Sequence, residues 1–237
     1  MIIPNLKARQ RTGEILDDPA LPSEEVIKAL AGLARLNKVS RAASVLWSEI
    51  KTLARQRQFA QLRILDVASG GGEVLLALTQ KAERSGLQLQ VAACDINPFA
   101  MRHAQTRFNK AEAKVNFFKR DVLHEALPGG YDVVMCSLFL HHLQREDAVR
   151  LLQQMARAAG ALILINDLER TLWNYYLVLL GSRLLSRSHV VHFDALRSVE
   201  SAFTLREVSE IAQAAGFTNF KLKACWPGRY LLSWHKP

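Results

Sequence analysis

The sequence predicts an α/β domain with a mostly parallel sheet, covered by helices on both faces and preceded by a helical extension. Three observations carry this. From Arg63 onward, apolar runs of strand length alternate with segments of helical period. The first run, Arg63-Ile64-Leu65-Asp66-Val67, passes through the small residues Ala68-Ser69-Gly70-Gly71-Gly72 straight into a helical pattern at Val74, Leu75, Leu76 and Leu78. Successive runs close on polar residues (Asp66, Asp95, Asp121, Ser137), and parallel connectivity brings such ends to one edge of the sheet.

The N-terminal part, residues 1–58, has an extended basic start followed by Glu14-Ile15-Leu16-Asp17-Asp18-Pro19. Ser23 is a good N-cap for a helix over about 24–36, with Val26, Ile27, Leu30, Leu33 and Ala34 on one face. A second helix from near Ser40 carries Val45, Leu46, Ile50 and Leu53. Two such apolar faces need cover, either over a ligand cleft or against the sheet edge. From 59 to 237, strands fall near 63–68, 90–95, 114–119, 131–137 and 161–166, with helices near 72–84, 98–109 and 145–158. A long apolar helix spans about Thr171 to Leu185, and Ser186 to Phe203 shows no clear period. Thr204-Leu205-Arg206-Glu207 is a capping box for a helix that stops at Gly216. Two closing runs, Phe217–Ala224 and Tyr230–Trp234, have strand character.

At 237 residues the chain fits one such domain plus its extension. Hydrophobic residues make up 49% and charged residues 22%, as in soluble globular proteins. Met1-Ile2-Ile3-Pro4 is too short for a signal peptide and is followed by Lys7, Arg9 and Arg11. Cys94, Cys136 and Cys225 sit in apolar strand patterns without C-x-x-C spacing, which suits free thiols in a reducing, cytoplasmic setting. The net charge of +9 is spread along the chain without runs or interleaved aromatics, so no nucleic-acid partner is expected. It leaves room for acidic substrates, carrier proteins or weak contact with an anionic membrane surface. The apolar helix is shorter than the roughly twenty residues a transmembrane segment needs. Either a monomer or a homodimer is compatible with all of this.

Glycine-rich turns after a strand also serve dinucleotide enzymes, so the turn alone decides little. Asp95, followed by Ile96, ends the second strand and is placed to accept from both hydroxyls of a ribose. With D-x-A-x-G-x-G at Asp66 to Gly72, Asp121-Val122 after strand three and S-x-x-x-H-H-L at Ser137 to Leu143, residues 60–237 resemble a class I S-adenosylmethionine (SAM)-dependent methyltransferase of the type 11/25-like branch. The resemblance implies a Rossmann-like sheet of seven strands with an antiparallel C-terminal hairpin and an N-terminal helical cap. It implies SAM as cofactor, contacted by Asp66, Ala68, Ser69, Gly70, Gly72, Asp95, Ile96, Asp121, Val122, Ser137 and Leu138. The chain departs from the pattern at Ala68, where the family has its first glycine, and at Ser69. A methyl group is the smallest departure, and cofactor binding should survive it. An acid at Asp66 suits the cofactor's amino group, whereas it would repel a pyrophosphate.

Methyl transfer from a sulfonium is an in-line displacement that needs alignment and, for an oxygen nucleophile, a base. His141 and His142 follow the apolar Leu138-Phe139-Leu140, and His142 is the first candidate of the two. Asp167 after strand five and His192 in the aperiodic stretch complete the catalytic candidates, with His103 inert and His189 a loop histidine. Each histidine has the alternative of bonding a backbone group structurally. N/D-P-P-Y/F is missing at Cys136-Ser137-Leu138-Phe139, which argues against methylation of ring amines. There is no cysteine pair for a nucleobase carbon nucleophile. Only Asp167 is an acid at the ends of strands four and five, so no catalytic metal is expected.

Leu172 to Leu180 is apolar nearly all round, so it is either buried or lines a lipophilic pocket with Trp173, Tyr175 and Tyr176, near Arg183, Arg187 and Arg197. N-D-L-x-R at Asn166 to Arg170 and S-V-x-x-A-F-T-x-x-E at Ser198 to Glu207 are similar to a bacterial subgroup associated with polyketide synthases. That resemblance implies O-methylation of a small phenolic or polyketide-type acceptor. The alternatives are a quinone-biosynthesis carbon methyltransferase, an RNA-binding methyltransferase, and a SAM-binding protein without catalysis.

Overall fold

The apolar runs condense into one sheet, seen in a computed structural model that describes residues 4–18, 20–39 and 41–237. Met1–Ile3, the Ser23 side chain and Ser40, on which the signal-peptide and helix-start expectations bear, lie outside the described residues. The first helices are α1 (Ser23–Val39) and α2 (Ala42–Gln56). Strand and helix then alternate as β1 (Gln61–Val67), α3 (Glu73–Ser85), β2 (Gln88–Asp95), α4 (Pro98–Lys110), β3 (Asn116–Lys119), β4 (Tyr131–Ser137), α5 (Arg145–Ala158) and β5 (Ala159–Leu168). The remainder comprises α6 (Leu172–Leu185), α7 (His189–Ser201), α8 (Leu205–Ala214), β6 (Lys221–Cys225) and β7 (Arg229–His235).

Strand order is β3-β2-β1-β4-β5-β7-β6, with the first five parallel and β7 antiparallel to both β5 and β6. This is the Rossmann-like sheet with a terminal hairpin that the resemblance implies. The order reverses between β2-β1 and β4, so a crevice opens at the carboxyl ends of β1 and β4, where such sheets take ligands.

Strands buried on both faces explain why the sequence reads as continuous apolar runs rather than alternation. Ile64, Val133, Met135, Leu162 and Leu164 face α2, α3 and α4 through Leu46, Ile50, Leu53, Leu75, Leu78 and Phe108. Their neighbours Leu65, Val67, Val134, Cys136, Ile163 and Ile165 face α5 and α8 through Leu151, Leu152, Met155, Val208 and Ile211. Local chemistry sets the helix ends. Asn97 accepts from the Phe99 and Ala100 N–H groups ahead of α4, with Pro98 in its first turn. Thr204 and Glu207 form the expected capping box on α8.

Two features differ from the sequence reading. Helix α2 lies on a face of the sheet, sharing the core with α3, rather than over the cleft or at the sheet edge. Ser186–Phe203 is not aperiodic structure: it holds α7. Its periodicity is hidden because Asp194 and Ser201 are buried beside Val190, Val191, Ala195 and Val199. Asp194 accepts from the Ile15 and Leu16 N–H groups at 2.8 and 2.9 Å, so an inward acid caps the short 3-10 turn Ile15–Asp17. α1, α6, α7 and that turn thus form a cap, with α7 beside the Leu140–His142 turn that follows β4.

Gly72 has φ +71°, and a Cβ there would lie 3.2 Å from both Ala104 Cβ and Phe108 Cε2. Gly70 has φ +52° with nothing within 4 Å. Gly72→Ala should therefore destabilise by about 2–4 kcal/mol, strain and overpacking together, and Gly70→Ala by only about 1–2 kcal/mol. Urea unfolding of both variants checks the order.

Candidate active site at the strand ends

The carboxyl end of β1 concentrates unmet polar demand. Asp66 is buried, and its Oδ1 has no hydrogen-bond partner. Burial, then the charges of Asp95 and Glu73, push its carboxyl well above the usual carboxylate range. A proton or a cation would relieve this position. The turn that follows runs through left-handed backbone at Ala68 (φ +53°), Gly70 and Gly72 (φ +52° and +71°). Ala68 therefore adopts the conformation that a glycine would take without strain. The Ser69 N–H donates to the Cys94 carbonyl at 3.0 Å, while the buried Ser69 Oγ is unpartnered.

Asp95 ties this turn to β2. Its Oδ2 accepts from Gly70 N and its Oδ1 from Asn97 N, each at 2.8 Å. Two of the four lone-pair sites of the carboxylate are thus used, leaving capacity for further donors. Ile96 is an exposed apolar side chain beside it. In the loop after β3, Asp121 accepts from Leu123 N at 3.0 Å and pairs with His124 Nδ1 at 2.8 Å, bonds that hold its carboxyl below the usual range. Val122 is buried, and its carbonyl accepts from Gln154. Beyond β4, Ser137 Oγ is another buried orphan, and Leu138 is held at φ +56° with its N–H on the Asn166 carbonyl. A bulky residue in that conformation is strained, a condition that gathers at ligand sites. Asp66, Ala68, Ser69, Gly70 and Gly72 thus line the β1 end, Asp95 is bonded to that turn, and Ser137 and Leu138 close the neighbouring β4 end. Asp121, Val122 and Ile96 flank them.

On the other side of the β4 end, Asp167 and His141 form a buried pair. Asp167 Oδ1 lies 2.6 Å from His141 Nδ1, Oδ2 accepts from the His141 N–H at 3.2 Å, and Oδ1 also accepts from Leu168 N at 2.6 Å. Burial alone would lower the imidazole's pKa and raise the carboxyl's. Their mutual attraction outweighs it, and the pair favours imidazolium and carboxylate. With Nδ1 on Asp167, Nε2 is the outward nitrogen, 4.0 Å from Glu14 Oε1. The His142 ring packs 4.2 Å from that of His141. Burial and the His141 charge drive its pKa down to about 3, so it stays neutral.

No local sequence pattern marks the contact between the N-terminal strap and this pair. Arg9 donates to the His141 and Ser201 carbonyls and Arg11 to the His142 carbonyl. Arg9 also lies 3.7 Å over the Phe203 ring, and burial, then Arg11, brings its pKa down to about 10. The only early signal was the basic start itself. A cavity of about 350 Å³ lies between strap and turn, lined by Arg11, Glu14, His141, His142 and Gln144. Among the described residues, Glu14, His141 and His142 alone bring three metal-capable atoms within 4.8 Å of one another. Arg9 and Arg11 oppose positive charge on these imidazoles and would oppose a metal ion likewise. His192 stands apart from the pair in its bonding, with Nε2 on the Ser186 carbonyl at 2.8 Å.

Residues 64–160 match a family model described as a methyltransferase domain. No curated protein matches the sequence. Among solved structures, magnesium protoporphyrin IX methyltransferase from Synechocystis PCC 6803, with S-adenosylhomocysteine bound, superposes with a TM-score of 0.58 at 18% identity, over 85% of this chain and 87% of that one. A candidate O-methyltransferase from Nostoc punctiforme PCC 73102 gives 0.63 at 15% identity, over 94% of this chain and 64% of that one. An O-methyltransferase family 2 protein from Planctomyces limnophilus DSM 3776, in complex with apigenin, gives 0.55 at 19% identity, over 74% of this chain and 50% of that one. At such identities these likenesses are of fold. They show a Rossmann-like methyltransferase fold, and the matched model adds that residues 64–160 are similar to a methyltransferase domain.

The His142 shift fixes the sign of a pH effect. Its ordinary value is 6.5 and its folded value about 3, so between these the unfolded chain binds more protons. Its contribution to stability is lost as pH falls from 6.5 toward 3, with a slope of at most about 1.4 kcal/mol per pH unit. His141, raised above 6.5, contributes oppositely: its stabilisation is complete below 6.5 and lost as pH rises through its folded value. Denaturant titrations from pH 7 to 4 should show a flatter acid slope for His142→Asn than for the natural chain.

Proposed function

We propose that this chain is a SAM-dependent methyltransferase that methylates an oxygen of a small lipophilic acceptor, phenolic or polyketide-type, with His141 as general base. The observation that carries the cofactor assignment is the unpartnered, buried Oδ1 of Asp66 beside a left-handed small-residue turn. The ammonium of a bound SAM answers it, and the open space at Gly70 admits the molecule without a Cβ in the way. The free lone pairs of Asp95 suit the ribose hydroxyls, Ile96 and Val122 the flanks of a purine, and Asp121 its amino group. Ser69, Ser137 and Leu138 complete the contacts. Residues 59–237 form the methyltransferase domain in this reading, and 1–58 contribute the acceptor-side cover through the strap and α1.

When bound, the cofactor supplies an activated methyl group on a sulfonium. The residues of the chain then have three tasks. Cap and strap exclude water. The pocket walls align the acceptor oxygen in line with the methyl–sulfur bond. In its neutral form His141 would take the hydroxyl proton at Nε2, while Asp167 holds the imidazole's other nitrogen and stabilises the resulting cation. This reverses the order of the two histidines read from sequence, because a ring held neutral down to about 3 is a weak base. His192, committed to a carbonyl, acts structurally here.

His141→Gln should lower kcat by about 10²-fold or more while leaving SAM affinity nearly unchanged. Asp95→Ala should weaken SAM at least about tenfold, the loss of one charge-assisted contact. Mass spectrometry after incubation with methyl-labelled SAM, across phenols, quinol precursors and bulk RNA, tests the acceptor. Label on phenolic oxygen supports the proposal. Label confined to ring carbon or to RNA, or a fully active His141→Gln enzyme, contradicts it.

A further inference from the structure

Helix α6 is turned inside out. Its buried side chains are polar: Asn174, whose Nδ2 donates to the Glu169 and Gly228 carbonyls at 2.8 and 2.7 Å, and Ser182. Apart from Arg183, its exposed side chains are apolar, among them Trp173 (61% exposed), Leu180 (61%) and Leu184 (74%). These three, with the half-buried Leu177, recur at spacings of four, three and four, which is one stripe along the helix. Trp226, 66% exposed in the β6–β7 turn, extends the stripe, with its ring 6.2 Å from that of Trp173. A 14-residue helix with that face open to water gains nothing from burial on its outer side.

Within the segment itself the charge has one sign. No acid occurs from Leu172 to Ser188. Arg183 and Arg187 are exposed beside Leu184, and Arg35 of α1 reaches the same helix end, donating to the Leu185 carbonyl at 2.6 Å. The nearest acid downstream, Asp194, is buried and engaged with Ile15 and Leu16. Glu25 pairs with His189 at 3.9 Å. An apolar stripe with tryptophan at one end and arginines at the other complements an anionic interface between water and hydrocarbon. No helix among the described residues is long and apolar enough to cross a membrane, and α6 is suited to lie on one.

We infer that α6, with Trp226, docks the protein on an anionic phospholipid surface, inserting Trp173, Leu177, Leu180 and Leu184 while Arg35, Arg183 and Arg187 meet the headgroups. Docking would present the acceptor side to lipid-dissolved molecules, but the inference stands on surface geometry and charge, not on the catalytic reading.

The test is co-sedimentation of the full chain with vesicles of phosphatidylcholine alone and of phosphatidylcholine with phosphatidylglycerol. Binding should require the anionic lipid and weaken with added salt. The double substitution Leu180→Ser, Leu184→Ser should abolish it. Arg183→Gln and Arg187→Gln should each weaken it about fivefold. All these positions are solvent-facing, so circular dichroism and SAM affinity should be unchanged, separating lost docking from lost folding. Three results would overturn the proposal: no sedimentation with anionic vesicles, binding that ignores the leucine substitutions, or a dimer by light scattering that those substitutions split. The last assigns the face to a second copy.

Discussion

The buried contact between His141 and Asp167 is the constraint on which the N-terminal cap over the β4 end depends. It joins the turn after β4 to the end of β5, two elements 26 positions apart, through both a ring nitrogen and a backbone N–H. Neither partner tolerates loss of the other. A buried carboxylate left alone, or an imidazole without its acceptor, costs on the order of 3–5 kcal/mol. The strap then builds on the fixed turn, because Arg9 and Arg11 donate to the carbonyls of His141 and His142. Asp194 draws the Ile15–Asp17 turn against α7, and the cap closes above the pair.

The cofactor side is arranged by the opposite principle. At the pair, opposite charges meet their demand in each other. At the β1 end, Asp66, Asp95 and Glu73 place acids of like charge close together, and one carboxylate oxygen is left without a donor. Such a site takes up a proton or a cation. The two halves meet across the end of β4, where Ser137 Oγ is buried without a partner among the described residues and Leu138 is held left-handed with its N–H on the Asn166 carbonyl. The proposed pairing of a cationic methyl donor on one side with a histidine base on the other rests on this division of charge.

How much of this was legible in the sequence depends on where the information sits. The β1–α3 turn, the placement of Asp95 at the end of β2 and the capping box at Thr204 are local signals, where neighbouring residues dictate the backbone, and the structure holds all three as elements of the fold. α7 escaped because Asp194 and Ser201 are buried for the sake of partners outside the helix, which breaks an apolar period. α6 misled for the reverse reason, since Trp173, Leu180 and Leu184 face out while Asn174 and Ser182 face in. The order of His141 and His142 could not be read at all. Adjacent residues of one type differ here only in which imidazole meets Asp167. The strap contacts, spanning more than 130 positions, left no trace beyond a basic start.

The most direct test of the account is the titration of the His141 ring followed by nitrogen-15 NMR in the intact protein. The account predicts a midpoint above 6.5, with Nδ1 protonated throughout and Nε2 the titrating nitrogen, and a fall in that midpoint when Asp167 is replaced by Asn. A His141 that titrates at or below its ordinary value, or is unmoved by Asp167→Asn, would contradict it.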